Sequence, residues 1–154
     1  MGYHTEFQGR VATVPPLNTA DASYLKKFNE SRRMQRSSGP YFVEGTGFMG
    51  QGKDSDVLDY NRPPAGQPSL WCGWVPTDDG TAIEWDGAEK FYDSAEWMQY
   101  LIDHFLAPGA KAKGALPFLQ ANHTVNGVIL AQGEELADSW KLVVTDNRVS
   151  TEGR

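Results

Sequence analysis

The spacing of apolar and polar positions changes several times along the 154 residues, and each change predicts an element. Residues 3–14, YHTEFQGRVATV, alternate imperfectly and stop at Pro15-Pro16, which predicts a first strand. Asn18 and Asp21 follow as a cap-like pair, and Leu17, Leu25 and Phe28 recur at roughly helical spacing through ADASYLKKFNESRRMQR. This predicts helix one, ending near Ser37-Ser38-Gly39-Pro40. From 39 to 68 the periodicity is lost among six Gly and four Pro, which predicts a long irregular excursion with a short extended piece at Tyr41-Phe42-Val43. A loop of that length inside one domain is usually functional, mobile or pinned.

SLWCGWVP and TAIEWDG flank the turn signal Thr77-Asp78-Asp79-Gly80 and predict a hairpin. Strand alternation sets Leu70, Cys72 and Trp74 on one face and Trp71 and Val75 on the other. Asp93, with Glu96 three positions on, predicts the cap of helix two, whose Trp97, Leu101, Ile102, Phe105 and Leu106 form one apolar stripe before Pro108-Gly109. VNGVILAQGE and SWKLVVTDN predict two more strands, and a last short one at Arg148-Val149-Ser150 follows the Asp146-Asn147 turn. Two helices that cannot bury themselves alone, among this many strands, imply an α+β fold. The expected form is a single antiparallel-rich sheet with both helices on one face, in the order β-α-(long loop)-β-β-α-β-β.

Composition adds that 1–154 is one domain, since 17.0 kDa with 40% hydrophobic and 12% aromatic residues supplies one core. Cys72 is the lone cysteine, so no disulfide and no cysteine-based zinc site can form within the chain. MGYHTEFQGR has no apolar core of a signal peptide and no run of 18 apolar residues occurs, so a cytoplasmic protein without a membrane partner is expected. Without export, the sequon at Asn122-His123-Thr124 has no consequence. The charge of −6 is uneven: residues 1–70 hold eight Lys/Arg against seven Asp/Glu, and residues 71–154 hold six against thirteen. That total argues against broad nucleic-acid coating.

EGTGFMGQGKD, residues 44–54, satisfies two phosphate-binding patterns at once. Gly45, Gly47 and Gly50 spell G-x-G-x-x-G, while Gly47, Gly52 and Lys53 spell G-x-x-x-x-G-K. The second pattern needs a Ser/Thr hydroxyl for magnesium after the Lys, where this chain has Asp54, and a long helix behind it, where Arg62-Pro63-Pro64 follows. The first needs the opening β-α-β of a parallel sheet. Both matches are therefore read as glycines serving tight turns. The residual functional version is an anion held by Lys53 and glycine amides, the basis of a nucleotide- or anion-binding enzyme as the alternative function.

Asp54, Asp56, Asp59 and Asn61 lack the Gly and Glu of a calcium loop and read as a solvated face. His4, His104 and His123 are scattered, with His104 expected to flank the buried stripe of helix two and Cys72 expected to be a buried thiol. Glu84, Asp86 and Glu89 crowd the end of the hairpin as a charged rim that could do acid-base work. No catalytic set, metal site or cofactor is assigned. The basic run Lys26, Lys27, Arg32, Arg33 and Arg36 on helix one is the place where an anion, an acidic partner or nucleic acid could dock. Trp71, Trp74 and Trp85 read first as core, but they are too many rings for one small sheet face, and one or more left partly exposed would serve as an interface anchor.

MGYHTEFQGRV with PPLN, the block LWCGWVPTDDGTAIEWDGAEKFYDSAEWMQYLIDHFL, and NGVILAQGE with SWKLVVTDNRV resemble small uncharacterised proteins of bacteriophages and actinobacteria. The resemblance spans most of the chain, is vaguest over 44–60, carries no catalytic residue across and implies a small cytoplasmic accessory protein. The expected function is a non-enzymatic module contacting another protein, with self-association left open, through Trp71, Trp74 and Trp85, the 39–68 loop with Lys53, and Arg32, Arg33 and Arg36.

Overall fold

The structure is a computed structural model and describes residues 3–154. A six-stranded sheet, antiparallel throughout, has the order β4-β5-β1-β6-β7-β8. Its strands are β1 (Thr5–Val14), β4 (Trp74–Pro76), β5 (Ala82–Trp85), β6 (Thr124–Gly133), β7 (Ser139–Thr145) and β8 (Arg148–Glu152). Helices α1 (Thr19–Asn29) and α2 (Ser94–Leu101) both cover one face, as the apolar pattern predicts. β1 and β6 pair along their full ten residues, which aligns Phe7 with Ala131 and Thr13 with Val125 on the helix side. Val11, Ile129 and Leu142 from the sheet meet Phe28 from α1 and Trp97, Leu101 and Phe105 from the α2 region in one buried cluster. Apolar side chains that fully leave water in this way supply about 1.5–3 kcal/mol each.

Helix one is shorter than its charge pattern predicts. It ends at Asn29, so Arg32, Arg33 and Arg36 lie beyond it. From the last residue of the helix onward the chain is held by tertiary bonds: Asn29 Nδ2 donates to the carbonyls of Cys72 (2.8 Å) and Trp74 (3.2 Å), and the Arg33 amide to that of Leu70 (2.7 Å). Helix propensity is a weak term beside several such bonds.

The piece at Tyr41-Phe42-Val43 pairs with no strand, and the Pro40 and Phe42 carbonyls accept from Arg33. The excursion instead carries a second small sheet, β2 (Gln35–Arg36) against β3 (Val57–Asp59). The predicted hairpin forms, but its first strand is only Trp74–Pro76. Over 70–73 the carbonyls of Leu70, Cys72 and Gly73 bond to Arg33, Asn29 and Asp86, and strict alternation fails there.

Asp93 precedes α2 as predicted, yet it adopts a left-handed conformation (φ 59) and its side chain caps nothing. After Leu101 the helix widens into a π turn over Ile102–Leu106, closed by the Ala107 amide on Ile102 (2.9 Å). Asp146 and Asn147, at φ 46 and 72, make the two-residue turn between β7 and β8 that the sequence signals.

Candidate functional site

A groove of about 300 Å³ opens where the glycine-rich stretch meets the start of the hairpin. Its floor is Asn29, Cys72 and Gly73. Gly73 must be glycine, since a Cβ there would stand 2.5 Å from the ring of Phe91 that closes the floor. Trp71 forms one wall, half-buried. Facing it, Phe48 and Met49 form a short 3-10 turn with glycine on either side, Phe48 being 83% exposed and Met49 38%. Met49 sits at φ 56, a left-handed conformation that costs a non-glycine residue of order 1 kcal/mol. The turn is nevertheless fastened, with the Arg32 amide donating to the Met49 carbonyl at 2.9 Å and Gly50 packed against Ser31.

Asp86 and Glu89 stand on the third side. Asp86 Oδ2 accepts from Asn29 Nδ2 at 2.8 Å and Oδ1 from the Ala88 amide at 2.8 Å, which aims the carboxylate along the groove. Neither Asp86 nor Glu89 is in an ion pair among the described residues. The site thus joins a large exposed apolar surface to unneutralised negative charge.

Three arginines hold the excursion that presents this wall. Arg33, 2% exposed, donates from Nη2 to the Pro40 and Phe42 carbonyls and from Nε to Gln67 Oε1 at 3.3 Å. Burial lowers its pKa to about 10, so it stays charged at neutral pH. Arg36 reaches Asp54 (3.2 Å) and Asp56 (2.8 Å), and Arg32 donates to the Tyr60 carbonyl while lying 4.3 Å from that ring's centroid. Arg33 and Arg36 therefore bind their own chain, where an anion-binding role had been expected of them. Lys27 pairs with Glu44 at 3.0 Å, and exposed Lys53 lies 5.4 Å from the centroid of Tyr60.

The glycine-rich stretch spends its amides internally. Gly52 donates to the Thr46 carbonyl (2.7 Å), Gln51 to Phe48 (3.1 Å) and Gly50 to Gly47 (3.2 Å). The Thr46 amide and hydroxyl both bond Asp54, and those bonds, with Arg36, hold the Asp54 carboxyl below the usual carboxylate range. A carboxylate of the chain itself takes the Thr46 amide and hydroxyl, the 3-10 turn Phe48–Gly50 lies inside the stretch, and after Lys53 the chain passes to β3 in place of a long helix.

The tryptophans divide. Trp71 lines the groove, Trp74 is buried at 1% with its Nε1 donating to the Ser94 carbonyl (2.8 Å), and Trp85 is half-buried against Phe7. Cys72 lies under the groove floor, where burial pushes its thiol up to about 12 and leaves it protonated. His104 is half-buried on the α2 side as expected, stacked 3.8 Å from Tyr100, with Nδ1 2.7 Å from the Tyr41 hydroxyl. Burial first, and Lys111 second, lower its pKa.

Sequence reasoning passed over Phe48, Met49 and Phe91. The signal for the first two is the pair itself, two adjacent large apolar residues with glycine on both sides in an otherwise polar loop. Comparisons with protein families, with curated proteins and with solved structures yield no match.

Proposed function

We propose that this chain is a non-enzymatic accessory module that captures another protein, taking an apolar side chain of the partner, with a basic residue beside it, into the groove bounded by Phe48, Trp71 and Asp86. The observation that carries this reading is Phe48: a ring 83% exposed on a fastened, strained turn is kept out of the core at a cost that folding does not repay. Exposed aromatic and methionine side chains around a concavity are the usual anchors of protein recognition. Asp86 and Glu89 add the preference for a basic neighbour. An accessory role is in keeping with the resemblance to small phage and actinobacterial proteins. An enzyme built on the glycine-rich stretch gains no support from a loop whose Thr46, Gly50, Gln51 and Gly52 amides are already bonded within the loop.

The test is a pair of short peptides followed by NMR on the labelled protein. Ac-Lys-Leu-Phe-Lys-NH2 is expected to shift the resonances of Phe48, Met49, Gly73 and Ala88, and Ac-Glu-Leu-Phe-Glu-NH2 to leave them in place. Equal shifts with both peptides, or none with either, would overturn the reading.

A further inference from the structure

The face of the sheet turned away from α1 and α2 bears no second layer among the described residues. Strand register fixes which side chains it presents. One row across it reads Glu84, Arg10, Val128, Val143, Ser150, and the next reads Gln8, Leu130, Lys141, Glu152. Such a face is normally polar when it meets water. Here β6 puts Val128 (46% exposed) and Leu130 (48%) near its centre, beside Val143 of β7.

The charge of the face differs from that of the chain. It carries Arg10, Lys141 and Arg148 against Glu6, Glu84 and Glu152, so it is neutral on a molecule of net charge −6. Arg10 and Glu84 already pair within the copy at 3.4 Å. Arg148 and Glu152 sit at opposite ends of β8, four residues or about 13 Å apart, too far to pair with each other. They lie on either side of the row through Val128 and Val143.

We infer that this face is a homodimer interface in which two copies pack sheet to sheet about a two-fold axis along the Val128–Val143 row. That axis stacks Val128 on Val128 and Val143 on Val143, sets Leu130 beside them over the Asn126 row, and lays Arg148 of one copy over Glu152 of the other, twice. The face offers what the sheet edges withhold. At β8 the Val149 amide already donates to Gln99 Oε1 at 2.9 Å, and β4 is three residues long and ends in Pro76. The inference is independent of the groove, which lies elsewhere on the molecule.

Sedimentation velocity on the full chain over a wide concentration range tests it. The wild type is expected to pass from monomer to dimer mass, Val128→Lys/Leu130→Lys to stay monomeric with unchanged circular dichroism, and Phe48→Ala to behave as the wild type. Arg148→Glu alone and Glu152→Arg alone should each weaken the dimer, and the double exchange should restore it. A wild type that is monomeric throughout, a dimer indifferent to the Val128/Leu130 change, or an exchange without rescue would each overturn the interface. The charge exchanges keep the test decisive should the lysine pair fail to fold.

Discussion

The guanidinium carbon of Arg33 lies 4.1 Å from the centroid of the Phe28 ring, so the cation that ties down the 39–68 excursion is itself seated on the last turn of α1. Through this one contact the main core and the loop that forms the groove wall become a single packed unit. Its polar partners are carbonyl and amide oxygens rather than carboxylates. Replacing Arg33 by Met keeps the stem but strands the Phe42 carbonyl and removes the cation from the ring. The expected loss is about 2–3 kcal/mol in denaturant unfolding. A loss below about 0.5 kcal/mol, the size of an ordinary surface change, would contradict the role.

Asp21 and His123 form a buried pair, 1% and 0% exposed, at 3.7 Å between Oδ2 and Nε2. His123 Nδ1 lies 2.6 Å from the Pro15 carbonyl, which can only accept, so Nδ1 holds a proton and donates. Nε2 therefore faces the Asp21 carboxyl, and Asp21 also accepts from the Gln120 amide at 3.1 Å. Asp21→Asn removes the buried carboxylate that faces His123, and His123→Leu leaves the Pro15 carbonyl without its donor; each should cost about 1–3 kcal/mol. Chemical denaturation measures it, and a variant as stable as the wild type would refute the pairing.

Asp79 closes the hairpin turn by accepting from the Thr81 hydroxyl and amide and from the Thr77 hydroxyl. These bonds favour the carboxylate and bring its pKa down to about 2. The folded value lies below the unfolded one of about 3.9, so the stabilisation is complete above that pH and is lost as the pH falls toward 2. Carbon-13 NMR of the side-chain carboxyl should show Asp79 ionised to about pH 2, and a midpoint near 4 would count against the bonds.

Cys72, with its thiol at about 12, should resist iodoacetamide at neutral pH while the protein is folded and react once denaturant is added. Mass spectrometry reads the adduct. Rapid labelling of the folded protein would mean that the groove floor opens to solvent.

Much of the fold was legible because burial imposes periodicity. The Trp97, Leu101, Phe105 stripe and the alternation in β1, β6 and β7 survive into the structure since each has one wet and one dry side. The end of α1 was not legible, because Lys and Arg suit a helix and nothing local says that Arg33 and Arg36 turn inward to carbonyls and carboxylates far along the chain. The irregular run 70–73 was missed for the same reason: its backbone bonds to Asn29, Arg33 and Asp86 rather than to a strand partner. Of the groove's lining, the sequence singles out Trp71 as a candidate anchor and reads Asp86 and Glu89 only as a charged rim, and it reads the glycines as serving chain geometry. Phe48 and Met49 were overlooked because the glycine pattern around them invited a reading of phosphate chemistry.

The most direct measurement is the affinity of the basic peptide Ac-Lys-Leu-Phe-Lys-NH2 for the wild type, Phe48→Ala and Trp71→Ala by calorimetry, with the melting temperature of each protein recorded alongside. Phe48 is exposed and half-buried Trp71 borders open space, so both variants should stay folded while binding falls about tenfold or more, the loss expected on truncating a recognition anchor. Wild-type affinity in both variants would contradict the groove as the binding surface.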